Sequence, residues 1–95
     1  MRITWDKVKN ARNLKKHKID FETAKLVFDD PNQLTMQDRI ENGEYRWLTL
    51  GIIGAVLVAV GHTVKEEDGK EVLRIITARK ATPKERRQYH EETYH

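Results

Sequence analysis

The run YRWLTLGIIGAVLVAVGHTV, residues 45–64, decides the fold. Gly54 separates two apolar, β-branched segments, Tyr45–Ile52 and Ala55–Val64, which read as strands. The second is apolar on both faces and therefore belongs in the middle of a sheet. The most apolar part, Leu48–Val60, is interrupted by Gly51 and Gly54. It falls well short of the ~20 residues that cross a bilayer, so it reads as core strand and not as a membrane span.

Turn chemistry extends the sheet on both sides. Upstream, Asn42-Gly43 is a two-residue hairpin signal, and before it Leu34, Met36 and Ile40 alternate loosely with polar residues. Downstream, Glu66-Glu67-Asp68-Gly69 makes a second hairpin loop that returns through Val72–Ala78. Four strands joined in this way form an antiparallel sheet. Nearer the N-terminus, Arg2–Trp5 alternates polar and apolar residues as a short strand would. Asp6 then offers a helix N-cap, and Val8, Ala11 and Leu14 recur as the stripe of an amphipathic helix. Lys15, Lys16, His17 and Lys18 crowd its end, where cations favour the negative pole of the helix dipole. A second helix starts at Asp20, with Ile19 stapled onto Ala24 and with Phe21, Ala24, Val27 and Phe28 as its buried side. Asp29-Asp30-Pro31-Asn32 ends it. Beyond the last strand, Thr82-Pro83-Lys84-Glu85 carries a capping box and opens a third helix. The order β-α-α-β-β-β-β-α is that of an α+β fold with helices packed on one face of the sheet. At 95 residues it is expected to form one domain, residues 1–95.

The absence of cysteine excludes disulfides, a thiol nucleophile and zinc–cysteine clusters, and fits a reducing compartment. The first ten residues carry charges where a signal peptide would be apolar, so a cytoplasmic protein without membrane attachment is expected. The formal net charge is only +3, but the signs are segregated: residues 1–25 hold eight bases and three acids, and residues 74–89 hold six bases and one acid. Such clustering makes a local positive field that attracts phosphates even when net charge is small.

Within that field Arg79 and Arg86 are the first candidates for phosphate contact, because a guanidinium presents several donors in a planar fork. Lys80, Lys84 and Arg87 reinforce them. The exposed cations are expected to converge near one end of the sheet. Arg46 and Arg74 stand alone among apolar strand residues, and each either faces solvent or marks a groove on the sheet. His62 is the best general acid or base by intrinsic pKa, although a lone strand histidine is more commonly partly buried and hydrogen-bonded. Tyr89 has two open readings, a proton donor or stacking platform and a packing residue. Trp5 and Trp47 are expected in the core. Glu85 is expected to cap a helix and not to act as a catalytic acid. His62, His90 and His95 lack a paired carboxylate or cysteine at ligand spacing, His17 stands beside lysines, and no glycine-rich loop precedes a helix. Neither a metal nor a cofactor is therefore expected.

The segments WDKVKNARNLKKHK, DFETAKLVFDDP, YRWLTLG and RIITARKATPKERRQY together resemble the BrnT toxins of bacterial type II toxin–antitoxin systems over nearly the whole chain. Thr77 stands where serine is common in the family and Thr23 where glutamate is frequent. Lys18 replaces a common glycine, which counts against a left-handed helix stop there. The resemblance implies a RelE-like fold and a small ribonuclease. It also implies neutralisation by a BrnA-type ribbon-helix-helix antitoxin in a heterotetramer that represses its own operon, so that operator DNA is contacted through the antitoxin. The chemistry expected is attack of the RNA 2′-hydroxyl on the adjacent phosphate, with His62, Arg79, Arg86 and Tyr89 as catalytic candidates. Arg46, Arg74, Lys80, Lys84 and Arg87 are the corresponding RNA-binding candidates. The alternative is a non-catalytic nucleic-acid-binding or protein-interaction module using the same basic surface.

Overall fold

The hairpin turns set the architecture. Asn42 and Gly43 adopt φ of 53° and 75°, and Asp68 and Gly69 adopt 51° and 75°. These pairs of left-handed residues are what two-residue turns between twisted strands require. In the computed structural model, which describes residues 1–93, the chain runs β1 (Arg2–Trp5), α1 (Lys7–His17) and α2 (Phe21–Ala24), followed by a 3-10 helix (Lys25–Asp29). It continues through β2 (Leu34–Glu41), β3 (Glu44–Ile53), β4 (Val56–Glu67), β5 (Lys70–Lys80) and α3 (Pro83–Thr93). His95 lies outside the described residues. The strands form one five-stranded sheet in the order β1-β5-β4-β3-β2. The four later strands pair antiparallel, as their turns demand. β1 pairs parallel to β5, with Arg2 opposite Val72 and Trp5 opposite Ile75, so the sheet is mixed. The apolar run of β4 is central, and Leu57 to Val60 are all buried.

Helices cover both faces of the sheet and not one. On the first face Phe21, Ala24 and Val27 pack on Val58, Val60, Leu73, Ile75 and Ala78, with Trp5 edge-on to Phe21 at 6.3 Å. Gly51 permits this approach, since a Cβ there would lie 2.8 Å from the Val27 side chain and carbonyl oxygen. On the second face α3 brings Tyr89, with Ala81 before it, over Leu50, Leu57 and Ala59. Trp47 is not a core residue. It is half-buried and stacks on exposed Tyr45, at 6.2 Å and 29° between planes.

The α1 stripe is also on the wrong side. Val8 and Leu14 are 58% and 46% exposed, and Ala11 is exposed as well. The buried face is polar. Asn13 Nδ2 donates to the Ala78 and Ile19 carbonyls, both at 2.8 Å, and Asn13 Oδ1 accepts from the Ala78 N–H at 3.1 Å. Asn10 Oδ1 accepts the Phe21 N–H at 2.8 Å. The reason is the sheet edge: β1 pairs only with residues 72–75, so the outer backbone groups of Ala78 need a partner, and the Asn13 amide does what a longer β1 would do. α1 starts at the Asp6 cap, whose carboxylate accepts the Lys9 N–H at 2.9 Å. It ends at Lys18 in the left-handed conformation, φ 64° and ψ 22°. A lysine therefore takes the stop expected of glycine, at a cost of roughly 1–2 kcal/mol.

Candidate active site

α3 covers only one end of its sheet face. At the other end the strands lie open, and alternation along β3 places Arg46 on the same face as Leu48 and Leu50. Strand register then builds a row. Arg39 lies opposite Arg46, and Thr63 lies opposite Arg74, which has Thr4 on its other side. Arg46 comes next to Thr63, one step beyond the Trp47–His62 pair. A recess of about 250 Å³ sits over this row, floored by Arg46, Thr63 and Arg74 and walled by Lys9, Lys65, Glu44 and Glu67.

Arg46 is the unusual member. Its side chain is only 17% exposed, its Nε is buried with no hydrogen-bond partner, and its nearest carboxylate is Glu44 at 3.8 Å. Glu44 is shared with Lys65, at 3.5 Å. Leaving a buried donor unsatisfied costs about 1–3 kcal/mol, so Arg46 is held here at a cost in stability. Arg74 is exposed and makes no ion pair among the described residues.

The other expected cations divide differently. Arg79 is clamped by Glu85 in a two-point ion pair, Nη1 to Oε1 at 2.7 Å and Nη2 to Oε2 at 2.9 Å. Glu85 meanwhile completes the capping box: it accepts the Thr82 N–H at 2.9 Å, and its own N–H donates to Thr82 Oγ1 at 3.2 Å. The Arg79 bond holds the Glu85 carboxyl below its ordinary range, against the opposing effect of burial, and the same bond raises Arg79. Arg79 thus carries a charge already answered by a neighbour. Arg86 and Arg87 lie on the outer side of α3, where with Pro83, His90 and Glu91 they line a separate shallow recess. Lys80 and Lys84 are exposed. Arg79, Lys80, Lys84, Arg86 and Arg87 lie together at the end of β5 and on α3, whereas Arg46 and Arg74 line a separate recess that shares no residue with the one on α3.

His62 and Tyr89 lie in the interior. His62 is 3% exposed and points to the first face, edge-on to Phe28 at 5.3 Å. Its Nε2 is 2.7 Å from Thr49 Oγ1, which in turn is 2.8 Å from Thr35 Oγ1, and its Nδ1 is buried without a partner. Burial pushes the imidazole down to about 4, with the Thr63 backbone offsetting part of the effect. The ring is therefore neutral at physiological pH, and unfolding allows it to take up a proton below 6.5. Stability is expected to be level above pH 6.5 and to fall as pH drops from there to about 4. The slope from this group is at most ~1.4 kcal/mol per pH unit. Urea midpoints at intervals across that window check this, and a His62→Gln variant is expected to flatten it. Tyr89 is 4% exposed and donates to Asp30 Oδ2 at 2.6 Å. Asp30 also accepts the Ile52 and Asn32 N–H groups, both at 2.8 Å. Burial works to raise this carboxyl, but the hydrogen bonds from Tyr89, Ile52 and Asn32 together hold it below its ordinary value. The Tyr89–Asp30 bond therefore pins α3 to the turn before β2.

A sequence model of the family described as "Ribonuclease toxin, BrnT, of type II toxin-antitoxin system" matches residues 5–85. The chain belongs to the BrnT family. No curated protein matches the chain significantly. The BrnT match spans α1, the Arg46–Thr63–Arg74 row and the Arg79–Glu85 pair, and it stops before Arg86, Arg87 and Tyr89. Membership of BrnT indicates a ribonuclease toxin of a type II toxin–antitoxin system, whose partner is an antitoxin protein. No helix among the described residues is long and apolar enough to cross a membrane. Lys9, Glu44, Thr63, Lys65 and Glu67 were not singled out by the sequence reading, yet they line the recess. The signal that finds them is strand register, because Thr63 and Arg74 become neighbours only once the Asp68-Gly69 hairpin is paired.

Proposed function

We propose that the protein cleaves RNA without a metal ion, through attack of the 2′-hydroxyl on the adjacent phosphate in the recess above Arg46, Thr63 and Arg74. The observation that carries this reading is the largely buried Arg46, whose Nε has no partner and whose ion pair with Glu44 is long, at 3.8 Å. In the reaction the O2′–P bond forms and the P–O5′ bond breaks. One product ends in a 2′,3′-cyclic phosphate and the other begins with a 5′-hydroxyl. Arg46 and Arg74 hold the non-bridging oxygens and answer the charge that grows on them. Glu44, beside Arg46 and Lys65, accepts the 2′ proton, and a lysine of the recess wall, Lys9 or Lys65, protonates the leaving oxygen.

Arg79, held by Glu85 at the end of the sheet that α3 covers, lies outside the recess and with Lys80 is an accessory RNA contact. Arg86, Arg87 and Lys84 on the outer side of α3 are then accessory RNA contacts and not catalytic groups. His62 and Tyr89 stay in the interior as structural residues. Neutralisation falls to a BrnA-type ribbon-helix-helix antitoxin in a heterotetramer, through which operator DNA is contacted, and the setting is cytoplasmic. The test is incubation of the purified protein with labelled single-stranded RNA in excess EDTA, without ribosomes. Fragments ending in cyclic phosphate are expected. Tight binding with no cleavage, also after ribosomes are supplied, would show a binding module instead.

A further inference from the structure

The recess over Arg46 and Arg74 does not end at the edge of the sheet. Lys9 and Ile76 wall it and also line a second, smaller groove, of about 190 Å³, between α1 and β5. That groove carries Arg12 and Lys16 along one side and Thr77 at its floor. Lys9, Arg12 and Lys16 recur at three- and four-residue spacing, so they stand on one flank of α1 and span roughly 10 Å along its axis. None of them makes an ion pair among the described residues. Unlike Arg79, Arg12 and Lys16 have no carboxylate partner among the described residues, while Lys9 is close enough to Glu41 to help Arg39 hold its carboxyl down.

The geometry points to this flank as an extended track for the RNA strand, which holds the nucleotides next to the cleaved bond by their phosphates. The inference rests on the reading of the recess as the cleavage site. Two features favour nucleic acid over a protein segment. The floor of the groove is polar, with Asn13 and Thr77, and offers one aliphatic side chain, Ile76, where a docking helix would need an apolar trough. The apolar Leu14 of α1 lies about half a turn away around the helix from Arg12 and Lys16, at 100° per residue. A row of cations leading out of a phosphate-sized recess is instead what a single strand needs, a positive groove that follows its backbone.

The track is tested with the full chain carrying Arg12→Gln and Lys16→Gln together, Lys9 being kept because it belongs to the recess. Two RNAs containing the same cleaved step are compared, a 20-mer and a tetranucleotide, and binding of the 20-mer is followed by anisotropy in the same samples. For the 20-mer, KM is expected to rise about tenfold near 0.1 M salt with kcat unchanged. The slope of log affinity against log salt should become shallower by about 1.4, two phosphate contacts at ~0.7 each for a single strand. Tetranucleotide kinetics should stay as in the wild type. An unchanged salt slope and KM for the 20-mer would overturn the track. Loss of antitoxin binding with RNA binding intact would overturn it too, and would mark the flank as a protein-docking surface. If the wild type binds the 20-mer but cleaves neither RNA, the cleavage reading fails, while a shallower slope in the variant still supports the track.

Discussion

Replacing Arg46 by alanine is expected to lower kcat for RNA cleavage by about 10²-fold or more, and the Arg46→Ala/Arg74→Ala double variant to lower it further, with little loss of stability. Removal of one preorganised donor facing a developing oxyanion commonly costs 10²–10³ in rate, and a guanidinium supplies both charge and geometry. Arg46→Lys should recover little, because a point charge on a flexible stem does not reproduce the fork. The stability half of the expectation is the more discriminating. A structural arginine that is lost leaves its partners unsatisfied. Arg46 has one carboxylate at 3.8 Å and an Nε with no partner, so its removal relieves a desolvated cation and breaks almost nothing. Arg46→Met is therefore expected to melt at or above the wild-type temperature while losing activity, the signature of a site that costs stability for function. A lower melting temperature with undiminished cleavage would instead make Arg46 a structural residue and move the site elsewhere. Arg79→Ala should behave in the opposite way on stability. It strands Glu85, which is 12% exposed in its side chain and bound through two oxygens.

The contrast between these arginines explains how much of the site the sequence carried. Residue type marked Arg46, Arg74 and Arg79 alike, and all three are indeed on strands, in a sheet whose turns could be read from Asn42-Gly43 and Asp68-Gly69. Which of them has spare donors depends on neighbours far apart in sequence. Arg79 meets Glu85 because the capping box turns α3 back over the strand end, and Arg46 meets Thr63 and Arg74 because two hairpins set the register. His62, partly buried as a lone strand histidine commonly is, also owes its place to distant neighbours. Alternation along β4 puts the ring on the same face as Val58 and Val60, against Phe28, and beside it the ladder shifts between Gly61 and His62, leaving Ile76 of β5 as the extra residue. Nothing in VAVGHTV announces that shift except the glycine, and a Cβ on Gly61 would come within 2.6 Å of the Thr77 methyl. The parallel placement of β1 was equally hidden. A four-residue strand has no turn tying it to a neighbour, so its partner is chosen by the whole fold.

Asn13→Ala is expected to be among the most destabilising single changes in the protein, although it removes no apolar contact. The amide satisfies the Ala78 N–H and C=O and the Ile19 C=O, and its oxygen lies 3.3 Å from the Thr77 hydroxyl. The side chain is sealed at 7% exposure, so water does not simply replace it. Each buried polar group left without a partner costs about 1–3 kcal/mol, and partial relaxation brings the expected total to roughly 3 kcal/mol. For a chain of this length that corresponds to a fall in Tm of about 10–20 °C. Leu14→Ala, one residue along the same helix, is the control. A residue on the apolar stripe would be expected to cost 2–5 kcal/mol if that stripe were buried, but Leu14 is 46% exposed, and a change within about 0.5 kcal/mol is expected. Asn13→Asp sharpens the test, because it keeps the acceptor that takes the Ala78 N–H and turns a second oxygen toward two carbonyls. It should be at least as damaging as alanine at pH 7. Thermal melts of the three variants decide between an apolar and a polar docking of α1: a large loss at Leu14 with a small one at Asn13 would reverse the assignment. The outcome also bears on the candidate active site, since the same docking holds Lys9 over the recess and Arg12 and Lys16 along the groove beside it. A helix held by one amide on a strand edge has its orientation fixed by directional bonds, which is what presenting a row of cations to a phosphate backbone requires.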